Sequence, residues 1–373
     1  MREFIDGNEA IARAAIDSGC DFFAGYPITP ATSILLHMTH ALPKVGGIAI
    51  QGEDEIASIG FCIGAALTGK KVMTATSGPG ISLYSENISA AIMIEVPIVI
   101  VDVQRMGPAT GGPTLGAHGD VQFIRWGNSG GYPIIALAPT NVSDCYNLTR
   151  KAFNLAERFR CPVFILTDKE TSLTKSTVDL KSFSKIRKVE RNYPPSEIPY
   201  KPYDFSSPSK ILDMPVYGGP HIIRMTASSH TDEGYLTKDK TSIQAHNEHL
   251  KLKIYNHLYE IDNTIFDHQP NSRVLIISYG ITSLVSEEAV LNCRNQGAKI
   301  SHLIIKSIWP VPESHILNAL KGIEYIIIPE LNIGLYSREI ERFTNQDQKI
   351  IHLNRVDGGI FSSSEIEESI INL

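Results

Sequence analysis

The chain has no C-x-x-C pair: its five cysteines, Cys20, Cys62, Cys145, Cys161 and Cys293, stand far apart. That scatter excludes a cysteine-ligated iron–sulfur cluster of the usual spacing. An odd, dispersed set fits reduced thiols in a cytoplasm, not a disulfide frame. A basic surplus is also missing. Lys and Arg number 34 against 40 Asp and Glu, a net charge of -6, with no long basic run, so a nucleic-acid binder is not expected. The longest apolar stretch, SAAIMIEVPIVIVDV, is broken by Glu95 and Pro97, and no membrane span is expected from it. The opening residues MREFIDGNEA carry no apolar signal core. Neither G-x-G-x-x-G nor a P-loop occurs, which leaves nucleotide binding by either route unsupported. No internal repeat is found.

What is present is ordinary for a soluble enzyme: 373 residues, 43% hydrophobic and 20% charged, enough for two or three domains. Up to about residue 175 strands and helices alternate. AIARAAIDSG, EIASIGFCIGAALTG, ISLYSENISAAIMIE and DCYNLTRKAFNLAERF read as helices, and CDFFAGY, GIAIQ, KKVMTATS, VPIVIVDV and CPVFILTD as strands. Such alternation predicts a doubly wound parallel sheet of the α/β class. Residues 176–268, rich in Pro, Lys, Tyr and polar side chains, read as a partly irregular excursion. Residues 269–373 resume alternation as a second, smaller α/β domain, with KISHLIIKSIWP as one strand between two helices.

Four strand-end segments could carry chemistry. In GYPITP, Pro30 suits a first helical position and Thr29 an N-cap, but a stiff loop before a helix could equally aim a hydroxyl at an anion. In QGEDEIASIG three carboxylates meet a helix start, where acids commonly serve as caps; against that, strand carboxyl ends are where open α/β sheets bind ligands. TSGPG permits close backbone approach to a ligand, or is simply a turn. VQRMGPATGGPT places Arg105 in a rigid loop, where it is either a solvated charge or a bidentate grip on a carboxylate. The following AHGD, His118 to Asp120, reads as a polar surface turn. Glu330 in PELNIG reads as an interdomain contact.

YPITP, EDEIASIG, TSGPG, QRMGPATGGPT, ALAP and PELN, in this order, resemble the alpha subunit of 2-oxoacid:ferredoxin oxidoreductases, most closely those acting on 2-oxoglutarate. The resemblance is close over the first 170 residues or so and looser over 270–373. It implies a pyrimidine-type thiamine pyrophosphate domain followed by a transketolase-C-terminal-like domain. It implies coenzyme A-dependent, reversible oxidative decarboxylation of a 2-oxoacid, with electrons passed to ferredoxin. The family's cofactor-activating glutamate falls on Glu55, its loop hydroxyl on Thr29 and its substrate-carboxylate arginine on Arg105. Tyr26, Pro27, Ile28, Ser77 and Gly78 would line the cofactor. The family's magnesium-diphosphate motif, G-D-G, is absent. Mg2+, the diphosphate and the iron–sulfur cluster would therefore belong to a partner beta subunit, with gamma and delta subunits possible, and this chain would hold no metal. Two rival expectations stay open: a scaffold with a degenerate thiamine fold, and the same chemistry on pyruvate or branched-chain 2-oxoacids.

Overall fold

The structure, a computed structural model, describes residues 2–179, 187–196, 200–205 and 207–373. The excursion expected over 176–268 thus lies partly outside the described residues. In chain order the strands are β1 (Arg2–Ile5), β2 (Phe22–Gly25), β3 (Ile48–Gln51), β4 (Val72–Thr76), β5 (Ile98–Gln104), β6 (Ile135–Leu137), β7 (Pro162–Asp168), β8 (Ser176–Asp179), β9 (Thr264–Asp267), β10 (Val274–Ser278), β11 (Ile300–Ile305), β12 (Ser307–Trp309), β13 (Tyr325–Glu330) and β14 (Lys349–Asn354).

Seven strands form the first sheet in the order β12-β6-β7-β5-β4-β2-β3. All neighbours are parallel except β12, which runs antiparallel to β6. The central strand β5, IVIVDVQ, is buried along its whole length, as a parallel strand covered on both faces must be. That explains its near-continuous apolar run, and it makes Asp102 conspicuous. The second sheet has the order β14-β13-β10-β11-β9, with only β9 antiparallel. One apolar cluster is continuous between the sheets. It joins Ile59, Ile88 and Phe164 to Leu275, Leu303, Ile328 and Tyr336, so the second unit is packed against the first.

Two expected elements divide. KISHLIIKSIWP is not one strand: β11 lies in the second sheet and β12 in the first. The crossing is fixed at Lys306. Its N–H donates to the Asn263 carbonyl at 2.9 Å, its carbonyl accepts from Ala138 N–H at 2.8 Å, and its ammonium bonds Asp144 at 2.9 Å. The segment ISLYSENISAAIMIE breaks at Tyr84 into helices Gly78–Leu83 and Ser85–Ile94. The Tyr84 hydroxyl is pinned to Thr74 at 2.7 Å. Among the described residues between Asp179 and Lys240 there is neither helix nor strand. Helix Lys240–Tyr255 follows and anchors the excursion: His249 and Lys253 both bond the buried Glu95 carboxylate, at 2.9 and 2.8 Å.

Candidate active site

Strands β2, β3, β4 and β5 run parallel, so their carboxyl ends share one edge of the sheet. The loops leaving that edge carry the residues singled out above. At the end of β3, helix Glu55–Leu67 begins with Asp54 as its cap, the Asp54 carboxylate accepting the Ala57 N–H at 2.7 Å. Glu53 and Asp54 are exposed, whereas Glu55 is turned inward to 7% exposure. The capping role therefore belongs to Asp54. Glu55 is left as a buried carboxylate that accepts no hydrogen bond from any described residue.

What Glu55 faces is set by TSGPG. Thr76 and Ser77 are fully buried, and neither hydroxyl has a hydrogen-bond partner. Gly80, in the helix after β4, lies so close that a Cβ there would fall on Thr76 Oγ1 and stand 2.9 Å from Glu55 Cγ and 3.0 Å from Oε1. Gly78 faces Asp120, whose Oδ2 would be 3.3 Å from a Cβ at that position. The turn is thus a tight cradle, and Gly80 in it is required by close approach.

GYPITP corrects one expectation. The helix starts at Thr32 with Ala31 as its cap residue and no side-chain cap bond, so Thr29 is not an N-cap and Pro30 is not at the first helical position. The reason is Asn8, whose amide donates to the Pro30 carbonyl at 2.9 Å and to Ser33 Oγ at 2.8 Å, holding the chain in one further turn before the helix begins. Thr29 is exposed, and its hydroxyl bonds nothing among the described residues. Tyr26 is exposed at 36%, and Pro27 and Ile28 are partly covered beside it. The β2 and β3 loops adjoin, with Gly52 N–H bonded to the Gly25 carbonyl at 3.0 Å.

Arg105 is buried, not a solvated charge, at 6% exposure. Its Nη1 donates to the Thr29 carbonyl at 2.7 Å and its Nη2 to the Thr110 carbonyl at 3.2 Å, while Nε is buried without a partner. The guanidinium therefore braces two loops and still has unspent donors. Thr29 and Arg105 are brought together through the backbone of one and the side chain of the other.

AHGD is not a surface turn. His118 is fully buried, with Nε2 3.3 Å from Asp168 Oδ2. Asp168, at the end of β7, also accepts N–H groups from Thr171 at 2.7 Å and Ile281 at 3.0 Å. Burial alone would push Asp168 up, but His118 and these two N–H groups outweigh it and hold the carboxyl below its usual range. Glu330 organises its own loop. It accepts from the Tyr279 hydroxyl at 2.8 Å and from Tyr336 and Ser337 N–H at 2.8 and 3.0 Å. The contact with the first sheet is made by its neighbour Asn332, which donates to the His118 carbonyl at 2.9 Å.

The loops after β4 and β5 and those of the second unit enclose a cavity of about 450 Å³, lined by Gly78, Arg105 and Asp120 on one side and by Leu331, Asn332 and Val356 on the other; Thr29 and Glu55 are not among its lining residues. A larger one, about 730 Å³, lies in the excursion around Pro194, Tyr200 and Arg224; none of the strand-end residues line it. Asp102, Asp120, Thr76 and His118 were not anticipated as site residues. Thr76 lay within TSGPG and His118 and Asp120 within AHGD, both noted as segments, and the signal of Asp102 is an acid inside an apolar strand.

Thr29 yields a direct prediction. With no cap bond to lose, Thr29→Ala should change stability by no more than about 0.5 kcal/mol, as at an ordinary surface position. Turnover of the assembled enzyme should nonetheless fall on the order of 10-fold, since a fixed hydroxyl at this edge can donate to charge that develops on a reacting oxygen. Melting curves and steady-state rates on one preparation check this. A normal rate would leave Thr29 without a role in the site.

Comparison with known proteins gives the same outline. Residues 13–249 match the family described as pyruvate flavodoxin/ferredoxin oxidoreductase, thiamine diP-bdg, and residues 272–366 match pyruvate:ferredoxin oxidoreductase core domain II. A 2-oxoglutarate synthase subunit KorA from Methanocaldococcus jannaschii is 38% identical, with 99% of each chain covered. A ketoisovalerate oxidoreductase subunit VorB from Methanothermobacter thermautotrophicus is 31% identical over 99% of this chain and 97% of that one. Among solved structures, a 2-oxoglutarate:ferredoxin oxidoreductase from Magnetococcus marinus, with 2-oxoglutarate, coenzyme A and succinyl-CoA bound, superposes with a TM-score of 0.92 at 31% identity. All of this chain is covered there, against 65% of the other.

Proposed function

The chain belongs to the alpha subunits of the 2-oxoacid:ferredoxin oxidoreductases, and from that membership we propose that it supplies the pyrimidine side of a thiamine diphosphate site that converts 2-oxoglutarate to succinyl-CoA. In the overall change one carbon–carbon bond breaks and carbon dioxide leaves. A thioester forms to coenzyme A, and two electrons pass one at a time to ferredoxin. Residues 1–175 would form the pyrimidine-binding domain and 269–373 the transketolase-C-terminal-like domain, joined by 176–268.

The observation that carries this reading is Glu55: buried, not a cap, and with no donor among the described residues. Around it stand two unpartnered hydroxyls and a glycine cradle, which fit a flat ring presenting N–H groups. Bound thiamine diphosphate would supply an electron sink for the decarboxylation. The chain's own residues do the rest. Glu55 accepts a ring N–H and so sets which tautomer is bound. Tyr26, Pro27, Ile28, Ser77 and Gly78 confine the ring. Thr29 offers a donor to the reacting oxygen, and Arg105 gives the pocket its cation.

Diphosphate, Mg2+ and iron–sulfur binding are assigned to a partner beta subunit, because this sequence contains neither G-D-G nor C-x-x-C. All five cysteines are buried free thiols, which supports a reducing, cytoplasmic setting. No described helix is long and apolar enough to cross a membrane. A scaffold with a degenerate site has no use for a buried, unpartnered Glu55.

Two measurements test the proposal. The isolated chain should show no 2-oxoacid oxidation and weak thiamine diphosphate binding, both restored by the partner; tight magnesium-dependent binding by the chain alone would refute the split site. Steady-state assays on the complex should give the highest kcat/KM with 2-oxoglutarate. Preference for pyruvate or 2-ketoisovalerate would reassign the substrate and leave the chemistry standing.

A further inference from the structure

Beneath Arg105 lies an acid pair that the reaction as described does not use. Asp102, in the middle of the first sheet, is completely buried, and neither of its carboxyl oxygens has a hydrogen-bond donor. Asp120 forms part of the cavity wall on the same side: it faces Gly78, two residues after the Thr76 that pairs with Asp102, and it is tied to Gln104, which follows Asp102 by two on β5 and so shares its face. Its backbone N–H is fixed by Gln104 Oε1 at 3.1 Å, and its Oδ2 is buried and unpartnered. Two carboxylates are acceptors only, so they can touch in a dry site only if one carries a proton. The surroundings offer no other remedy. In register with Asp102 are Thr76 on β4 and Leu166 on β7, Gly78 faces Asp120, and the cation acting on Asp120 among the described residues is Arg105.

We infer that Asp102 and Asp120 share one proton and act together as a positioning pair that limits the cavity wall beside Arg105 to a single negative charge. The inference rests on the reading of the cavity as a 2-oxoacid site. One shared proton leaves the wall balanced against Arg105, and an anionic acid can enter. Two ionised carboxylates would make the wall net negative and repel it. Burial is the main reason both groups are pushed up. The charge of Asp120 raises Asp102 well above the usual carboxylate range, and Asp120 reaches about 6, tempered by Asp102 and Arg105. Because the pair is coupled, these ionisations belong to both residues.

The sign of the pH effect follows. On acidification through about 6 the pair gains its second proton and the wall becomes more attractive to an anion. KM for the 2-oxoacid in the assembled enzyme should therefore rise from pH 5 to pH 8, on the order of 10-fold for one added charge nearby, with kcat changing less. Asp120→Asn should hold KM low and flat over that range. Asp102→Asn, whose amide donates permanently to Asp120, should hold KM high down to lower pH. A flat wild-type profile, or variants that keep the wild-type slope, would overturn the inference.

Stability separates this from failure of the functional reading. Groups with raised folded values stabilise fully only below their unfolded values, and that stability is lost as pH rises through the folded ones. Asp102→Asn needs no proton, so the full chain carrying it should melt above wild type by a margin that grows from pH 5 to pH 8. Carbon-13 NMR of labelled aspartate should show one neutral carboxyl at pH 7 that this variant lacks. A wild-type chain with every aspartate ionised at pH 7, or one that melts above the variant at pH 8, refutes the shared proton whatever the enzyme's substrate.

Discussion

Glu55→Gln should leave the chain folded and assembled while lowering turnover of the complex by about 10²-fold or more, the usual scale for a lost acid–base function. The amide has nearly the same shape, and Asp54 retains the helix cap. Stability should change little. Glutamine keeps the packing of the buried stem, and the loss of the charge's favourable position at the helix start costs only about 0.3–1 kcal/mol. Glutamine can still accept a hydrogen bond from a ring, but it is a much poorer acceptor than a carboxylate and cannot stabilise a bound tautomer to the same degree. The telling result is the combination: a nearly unchanged melting temperature with little activity, and thiamine diphosphate binding weakened less than kcat. A variant that melts lower and turns over normally would make Glu55 a structural acid.

The alternation of apolar strands and amphipathic helices was readable because each element satisfies its own periodicity, and both sheets follow from it. The strand-end location of the site was also readable, since parallel strands deliver their loops to one edge. Which acid of Glu53, Asp54 and Glu55 turns inward was not, because all three suit a helix N-terminus. Only the close approach of the β4 turn distinguishes Glu55. Thr29 misled because Thr-Pro is locally a good helix start; the competing bond comes from Asn8, 22 residues away from Pro30. The return of β12 to the first sheet depends on Lys306 meeting Asn263, Ala138 and Asp144, partners that no local pattern names. His118 and Asp120 looked like a surface turn because polar residues in a loop usually are. The burial of His118 comes from the second unit, which closes on the loop through Asn332 and on Asp168 through Ile281, while Asp120 is half-buried at the cavity wall.

Gly80→Ala should abolish activity for a steric reason that can be dissected. Within the helix Gly78–Leu83 alanine would ordinarily be favoured over glycine by about 1 kcal/mol. Here the added methyl meets two different walls: Thr76 Oγ1, well inside contact distance, and Glu55 Cγ and Oε1 at 2.9 and 3.0 Å. Both walls are buried, so neither side chain can swing into solvent. Relief must come from a shift of the turn or of Glu55, and overpacking of this kind typically costs about 1–3 kcal/mol. The two contacts can be separated with Thr76→Ala, which removes the hydroxyl, already without a hydrogen-bond partner, and leaves the Glu55 wall in place. The double variant should recover most of the stability lost in Gly80→Ala, a coupling that a double-mutant cycle reads directly. It should not recover activity, because the methyl still displaces the Glu55 carboxylate, and a misplacement near 1 Å can cost on the order of 10²-fold. Recovery of both together would mean that the cradle serves only packing. Recovery of stability with activity still about 10²-fold down would show that the glycine is there to hold Glu55 in place.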